Sequence, residues 1–306
     1  MTQEKIFRGI WPVVPTAFDD AGEIDYDGMR NILRCMIDQG VDGGCILANY
    51  SEQFVLTDSE RAKLTKFCLE EAKDELPLIV TISHFSTLVA CDRAKMAKTL
   101  GATAVMMMAP YHGALLKGNN QQIYEQVKAV ADVGLPVMIQ DAPLSGVNLS
   151  AELLFKMSNE IEMVKMFKIE STAATQKLRE LKALGAANSA SPFDGEEGIT
   201  LLADLDAGAV GSMTSALIPD LIKPIIYDYS IGRRESAAAS YKDVLPIINF
   251  ENRQCGFRAT KAAMKFGKVI KSDFSRHPLQ PLDENLTCDL LSLLKPFDPV
   301  ILRWGK

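Results

Sequence analysis

Residues 136–184 read PVMIQDAPLSGVNLSAELLFKMSNEIEMVKMFKIESTAATQKLRELKAL. The hydrophobic pattern changes period repeatedly along this stretch. Residues 136–142 and 163–170 are short and apolar at most positions, as strands covered on both faces are. Residues 150–158 and 172–184 place apolar side chains at helical spacing instead. Two strand-then-helix units in succession predict parallel strands joined by crossover helices.

The same alternation continues on both sides of this stretch. Further strands are expected at 10–18, 43–49, 78–84, 104–110, 187–192 and 208–214, and further helices at 87–100, 120–132 and 196–205. Thr57-Asp58-Ser59-Glu60 reads as a capping box, in which hydroxyl and carboxylate each satisfy a backbone N–H at a helix start. Eight such units predict an α/β protein whose residues 1–230 form a (β/α)8 TIM barrel. The rival is an open doubly wound sheet, but no G-x-G-x-x-G follows the first strand and no G-x-x-x-x-G-K-[ST] occurs. Residues 231–306 carry about three more helical patterns, among them 235–245 and 258–266. They are expected as a C-terminal helical extension packed on the barrel.

Charge and composition narrow the function. The 306 residues include 33 Lys plus Arg against 39 Asp plus Glu, a net charge of −6 with no basic cluster. Nucleic acid is therefore not an expected partner, because nothing neutralises its phosphates. No apolar run reaches the ~20 residues of a membrane span, and the N-terminus lacks a signal-peptide layout. A cytoplasmic protein without membrane contact is expected. Six separated cysteines without a C-x-x-C pair, and three histidines without ligand spacing, predict reduced thiols and no metal site.

A barrel of this kind carries its chemistry at the C-terminal ends of its strands. The polar residues expected there are Asn49 and Ser51 after strand two, His84 after strand three, and Tyr111 with His112 after strand four. Strand five ends in Gln140 and Asp141, and strand six in Lys168 and Glu170. Alternation puts Val164, Met166, Lys168 and Glu170 on one face, away from Lys165. A lysine in a dry pocket loses part of its preference for the ammonium and becomes a nucleophile toward carbonyls. A structural Lys168–Glu170 ion pair fits the same pattern, and spacing alone leaves both readings open.

The strings CILANYSEQF (45–54), SHFST (83–87), PYHGA (110–114), QDAP (140–143), FKIE (167–170), DGEEGITLLADL (194–205) and INFENRQ (248–254) together resemble the dihydrodipicolinate synthase / N-acetylneuraminate lyase family. The likeness runs over nearly the whole chain. It implies a (β/α)8 barrel whose strand-six lysine, Lys168 here, forms a Schiff base with a 2-keto acid. It also implies a homotetramer and no organic cofactor, the lysine imine being the electron sink.

Two departures from the family pattern bear on the reaction. Where most members have Gly-Thr-Thr-Gly-Glu to hold the substrate carboxylate, this chain has Ala48-Asn49-Tyr50-Ser51-Glu52, leaving Asn49, Ser51 and backbone amides as donors. Where most members have a proton-relaying tyrosine, this chain has Gln140, whose amide cannot relay protons near neutral pH. Glu170 then becomes the candidate acid–base, with His84, Tyr111 and Gln140 as candidate substrate-binding residues. A carboxyl group and no relay tyrosine suit loss of a C4 hydroxyl better than cleavage of C3–C4.

With the resemblance, the reaction implied is dehydration of 2-keto-3-deoxy-L-arabonate to 2,5-dioxopentanoate, and the resemblance places it in non-phosphorylative L-arabinose breakdown. An aldolase releasing pyruvate and a catalytically silent keto-acid-binding barrel are the alternatives.

Overall fold

The computed structural model describes residues 7–113, 115–186 and 189–306. Strands and helices alternate as β1 (Gly9–Ile10), α1 (Tyr26–Asp38), β2 (Gly44–Ile46), α2 (Asp58–Glu71), β3 (Leu78–Thr81), α3 (Thr87–Thr99), β4 (Ala104–Met108), α4 (Asn120–Ala131), β5 (Val137–Asp141), α5 (Ala151–Glu160), β6 (Val164–Ile169), α6 (Ala174–Leu184), β7 (Ser191–Asp194), α7 (Leu201–Ala207), β8 (Gly211–Ser212) and α8 (Pro219–Ser230). The strands are hydrogen-bonded in the order β1-β8-β7-β6-β5-β4-β3-β2. This is the (β/α)8 barrel that the hydrophobic pattern predicts. Two compact units divide the chain, one formed by the segment ending at Gly9 with Ile79–Met213, the other by Ile10–Leu78 with Thr214–Lys306.

The unit containing Ile79–Met213 holds the ladders from β4 to β8. Every residue of β4 (AVMMM) and of β5 (VMIQD) is buried, as parallel strands under a helix layer must be. The register sets Met108 beside Gln140, Gln140 beside Lys168, and Lys168 beside Phe193. The neighbouring row runs Asp141, Ile169, Asp194 and Ser212. A register shift between Val137 and Met138 opposes them to Val164 and Met166, leaving Lys165 as the additional residue in β6. Beyond it, Met166 and Lys168 stay in step with Met138 and Gln140. A two-stranded hairpin, Tyr111–His112 with Leu116–Lys117, follows β4. Helix α4 starts at a capping box between Asn119 and Gln122, and α5 at a Ser150 cap.

Expected boundaries in this unit need correction, among them the strand over 208–214, which is confined to Gly211–Ser212 because Gly208 closes α7 in the left-handed conformation. The strand expected over 187–192 begins at Ser191 and runs to Asp194; its first two expected residues, Ala187 and Asn188, lie outside the described residues. Gly185 ends α6 in the left-handed conformation, and the N–H groups of Ser189 and Ala190 both donate to the Ala186 carbonyl. That turn delays the extended segment. The helix expected from residue 196 starts only at Leu201, because Glu197 and Gly198 both have positive φ (54° and 88°), which no helix accommodates.

In the other unit, Val13 bridges in parallel to Cys45 on one side and to Ser215 on the other. The Thr57/Glu60 capping box is present at the start of α2, and Asp25 caps α1 by accepting from Gly28 N–H at 2.9 Å. Helices α1, α8 and the last helix of the chain lay outside the elements specifically placed from the sequence. After α8 come α9 (Arg234–Phe250), a π turn at Glu251–Cys255, α10 (Arg258–Phe266) and α11 (Glu284–Leu294). Among the described residues these are the three tail helices expected.

Candidate active site

Lys168 and Glu170 stand at the C-terminal end of β6. Lysine is rarely enclosed without a partner, yet Lys168 is only 3% exposed, and its Nζ lies 2.6 Å from Glu170 Oε1. Gln140, at the same level of β5, donates from Nε2 to that same oxygen at 2.8 Å. One carboxylate oxygen therefore gathers an ammonium and an amide. The arrangement fixes the Gln140 amide, since turning it over would set two oxygens against each other. The Gln140 Oε1 that results is buried and has no hydrogen-bond partner among the described residues, a cost that native interiors rarely bear.

Two residues that the sequence reading did not single out frame this pair. A β-carbon on Gly195 would lie 2.8 Å from Lys168 Cγ and 2.6 Å from Glu170 Cγ. Only glycine leaves those side chains their space. Asp194, one residue earlier, is wholly buried and accepts from the Ser212 hydroxyl. Burial pushes its carboxyl up to about 7; Ser212 opposes this, and Asp204 adds to it. Asp204 in turn accepts from the Thr175 and Thr200 hydroxyls. The signal for both residues was present in the DGEEG string, but the delayed start of β7 hid which of its residues ends the strand.

The other candidates of this unit follow β3 and β4. Tyr111 is half-buried in the hairpin, and burial raises its phenol. His84 is exposed, and its Nδ1 accepts from Ser86 N–H at 3.0 Å. A neutral ring so held carries its proton on Nε2. His112 is exposed with its ring 6.4 Å from that of Phe85.

Asn49 and Ser51 belong to the other unit, in a single 3-10 turn (Asn49–Ser51) that replaces the threonine-rich loop. Leu47 and Glu52 flank it with positive φ (59° and 57°). Ser51 Oγ donates to the Val14 carbonyl at 2.6 Å and accepts from Ala48 N–H at 3.1 Å. Its one hydroxyl proton is thus engaged in holding the turn. Asn49 accepts from Gln53 Nε2 at 2.8 Å through Oδ1, which leaves its Nδ2 as the donor side of the amide. Below the turn Glu52 pairs with Lys261, both almost wholly buried. Burial raises the Glu52 carboxyl and lowers the Lys261 ammonium, against their mutual attraction.

Among the described residues no three His, Cys, Asp or Glu side chains come together as a metal site requires. None of their helices is long and apolar enough to cross a membrane.

With this geometry in view, comparison with known proteins is decisive. The model of the dihydrodipicolinate synthetase family matches residues 6–296. The chain belongs to this family. Within it, the chain is 49% identical to an L-2-keto-3-deoxyarabonate dehydratase of Azospirillum brasilense, over 97% of each chain. It is 26% identical to a 4-hydroxy-tetrahydrodipicolinate synthase of Maridesulfovibrio salexigens, over 94% of this chain and 98% of that one. Among solved structures, a Pseudomonas aeruginosa protein described as a candidate dihydrodipicolinate synthetase superposes with a TM-score of 0.87 at 29% identity, covering 94% of this chain and 99% of that one. The family fold is thus shared over nearly the full length.

Proposed function

We propose that this chain is a Schiff-base hydro-lyase that converts 2-keto-3-deoxy-L-arabonate to 2,5-dioxopentanoate and water. The observation that carries the reading is the Lys168–Glu170 contact at 2.6 Å, in a chain 49% identical to a dehydratase of that substrate.

An ammonium in contact with a carboxylate can hand over a proton and become a free amine. Lys168 passes a proton to Glu170 and attacks the C2 ketone. The carbinolamine expels its oxygen as water, taking the proton from Glu170, and a protonated imine remains. Glu170, again a carboxylate, removes a C3 proton while the electron pair moves to the imine nitrogen. The enamine pushes that pair back and expels the C4 hydroxyl, which leaves as water with the proton held by Glu170. A proton from C5 then moves to C3 and the C5 hydroxyl proton moves to C4, which turns the C5 alcohol carbon into an aldehyde. Hydrolysis of the imine releases product and restores the amine. One water leaves at imine formation, one is consumed at hydrolysis, and the net loss is one water. The protonated imine accepts the electron pair throughout, so the reaction calls for no organic cofactor or metal.

Gln140 holds Glu170 Oε1 through its N–H and offers its unpartnered carbonyl oxygen to a substrate hydroxyl. Asn49 Nδ2 and the turn shaped by Ser51 serve the substrate carboxylate, while His84 and Tyr111 serve the distal hydroxyls. The place of work is the cytoplasm, within non-phosphorylative L-arabinose breakdown. The assembly is a homotetramer, with the exposed Leu115, Leu116 and Leu144 as apolar surface for a second copy, and light scattering tests it.

The deciding experiment follows semialdehyde and pyruvate during incubation with 2-keto-3-deoxy-L-arabonate. Semialdehyde without pyruvate is the expected result. Pyruvate would instead make the enzyme an aldolase. Borohydride treatment with the keto acid, followed by mass spectrometry, should place an adduct on Lys168, and a silent binding barrel would gain none.

A further inference from the structure

Behind the face that carries Gln140, Lys168 and Glu170 lies a second buried ion pair that the mechanism does not use. Asp141 follows Gln140 in β5, so its side chain leaves the strand on the opposite face, where it meets α6. Its Oδ2 lies 2.5 Å from Lys177 Nζ. The same ammonium donates to Asn148 Oδ1 at 3.0 Å and to the Leu149 carbonyl at 2.7 Å. Three donors meet three acceptors, which is the full capacity of a lysine. The Asp141 Oδ1 accepts from Leu149 N–H at 3.3 Å. Asp141 is 1% exposed and Lys177 9%, so neither charge has water to fall back on.

The backbone of Asp141 reaches the other way. Its carbonyl accepts from the N–H of Glu170 at 3.0 Å. A single residue thus ties the main chain of the candidate acid–base to α6 and to the loop through Asn148. Lys177 is also close to Glu170 along the chain. The link between β6 and α6 is short and passes through Ala173 in a left-handed conformation, φ 64°, so a shift of α6 has little slack to absorb before it moves Glu170.

We infer that the Asp141–Lys177 pair is a positioning device that holds Glu170 and Gln140 in register with Lys168 for the proton transfers at C3 and C4. The inference rests on the dehydratase reading of the site. Imine formation requires Lys168 to meet a ketone and one proton to pass to the carboxylate beside it and back to the leaving oxygen, all at a single substrate carbon. The later steps require one carboxyl group to reach two carbons of the substrate in turn, and tolerances there are tighter. Loosening the support should therefore separate the two stages.

The test compares wild type with Lys177→Met, Asp141→Asn and the double variant Asp141→Asn/Lys177→Met. Single variants strand a buried charge or leave an imperfect partner, and are expected to lose thermal stability. The double variant removes both charges and is expected to recover most of that loss. In the double variant, borohydride trapping of the keto acid at Lys168 should proceed within about threefold of wild type, with KM changed no more than that. Its kcat for semialdehyde formation should fall at least tenfold. A double variant that keeps wild-type kcat overturns the inference alone. So does one in which trapping and kcat fall together in proportion to the folded fraction, since that marks a merely structural pair. A wild type that traps no adduct overturns the dehydratase reading, and this inference with it.

Discussion

A β-carbon placed on Gly195 would stand 2.6 Å from Cγ of Glu170, well inside van der Waals contact. The end of β7 is therefore kept bare so that two ionisable side chains of β6 can stand next to it. Gly195 has no positive φ that would demand glycine for conformational reasons, so the constraint is steric. Gly195→Ala is expected to push Lys168 and Glu170 out of contact. The cost in stability should stay in the range of about 1–3 kcal/mol typical of overpacking, while kcat/KM falls by a factor on the order of 100, as a displaced catalytic pair implies. Melting temperature and steady-state kinetics on the same preparation check this, and wild-type turnover with alanine in place would remove the steric role from Gly195.

The Glu52–Lys261 pair gives a prediction about stability. Both side chains are about 1–2% exposed, and the Lys261 ammonium also donates to the Phe274 carbonyl at 2.6 Å. Lys261→Met leaves a carboxylate in a dry site, and a loss of about 3–5 kcal/mol is expected by denaturant unfolding. Adding Glu52→Gln should return most of it. If the double variant is no more stable than Lys261→Met, the loss comes from packing of the long lysine stem and not from the stranded charge.

The barrel was legible because strands covered on both faces leave unbroken apolar runs, such as AVMMM in β4, and a capping box such as that of Thr57 and Glu60 marks a helix start. Boundaries failed where backbone conformation overrode hydrophobicity. Nothing in the apolar pattern of 196–205 announces that Glu197 takes a positive φ, and the helix starts at Leu201 as a result. For the site, alternation along β6 was enough to bring Lys168 and Glu170 together on one face. It could not reveal that Gln140 would donate to the same carboxylate oxygen, because that depends on the β5–β6 register and on the residue left over at Lys165. Gly195 and Lys177 were invisible for a related reason. One acts by what it lacks, and the other reaches its partner from a helix whose register against the sheet is set by packing.

The acid–base behaviour of Glu251 supplies a test on pH. This carboxyl is buried in the π turn after α9, and burial pushes it up to about 7 despite a hydrogen bond with Ser215. A carboxyl whose folded pKa lies above its unfolded value of about 4.3 binds more protons in the native state. Its contribution to stability is therefore complete below about pH 4 and is lost as pH rises toward and through 7. Urea unfolding between pH 5 and 8 should show wild type losing stability relative to Glu251→Gln as pH increases, with the two curves parallel above about pH 8. Parallel curves over the whole range would mean that the carboxyl ionises at an ordinary pH.

Glu170 carries the heaviest demand of any side chain, since it takes a proton from the amine and returns it to the carbinolamine oxygen, then takes one from C3 and returns it to the departing hydroxyl. Glu170→Gln keeps the shape and the neighbour Gln140 but removes every proton the carboxyl could move. It leaves the Lys168 amine in place, with an amide instead of a carboxylate beside its Nζ. An adduct with the keto acid should therefore still form at Lys168 in the variant, trapped by borohydride and seen by mass. Semialdehyde production should fall by about 100- to 10,000-fold, the usual range for loss of a general acid–base. Added formate or acetate, small enough to enter the vacated position, should restore part of the rate. Full turnover in Glu170→Gln would return this carboxylate to a purely structural role and shift the proton transfers to another group.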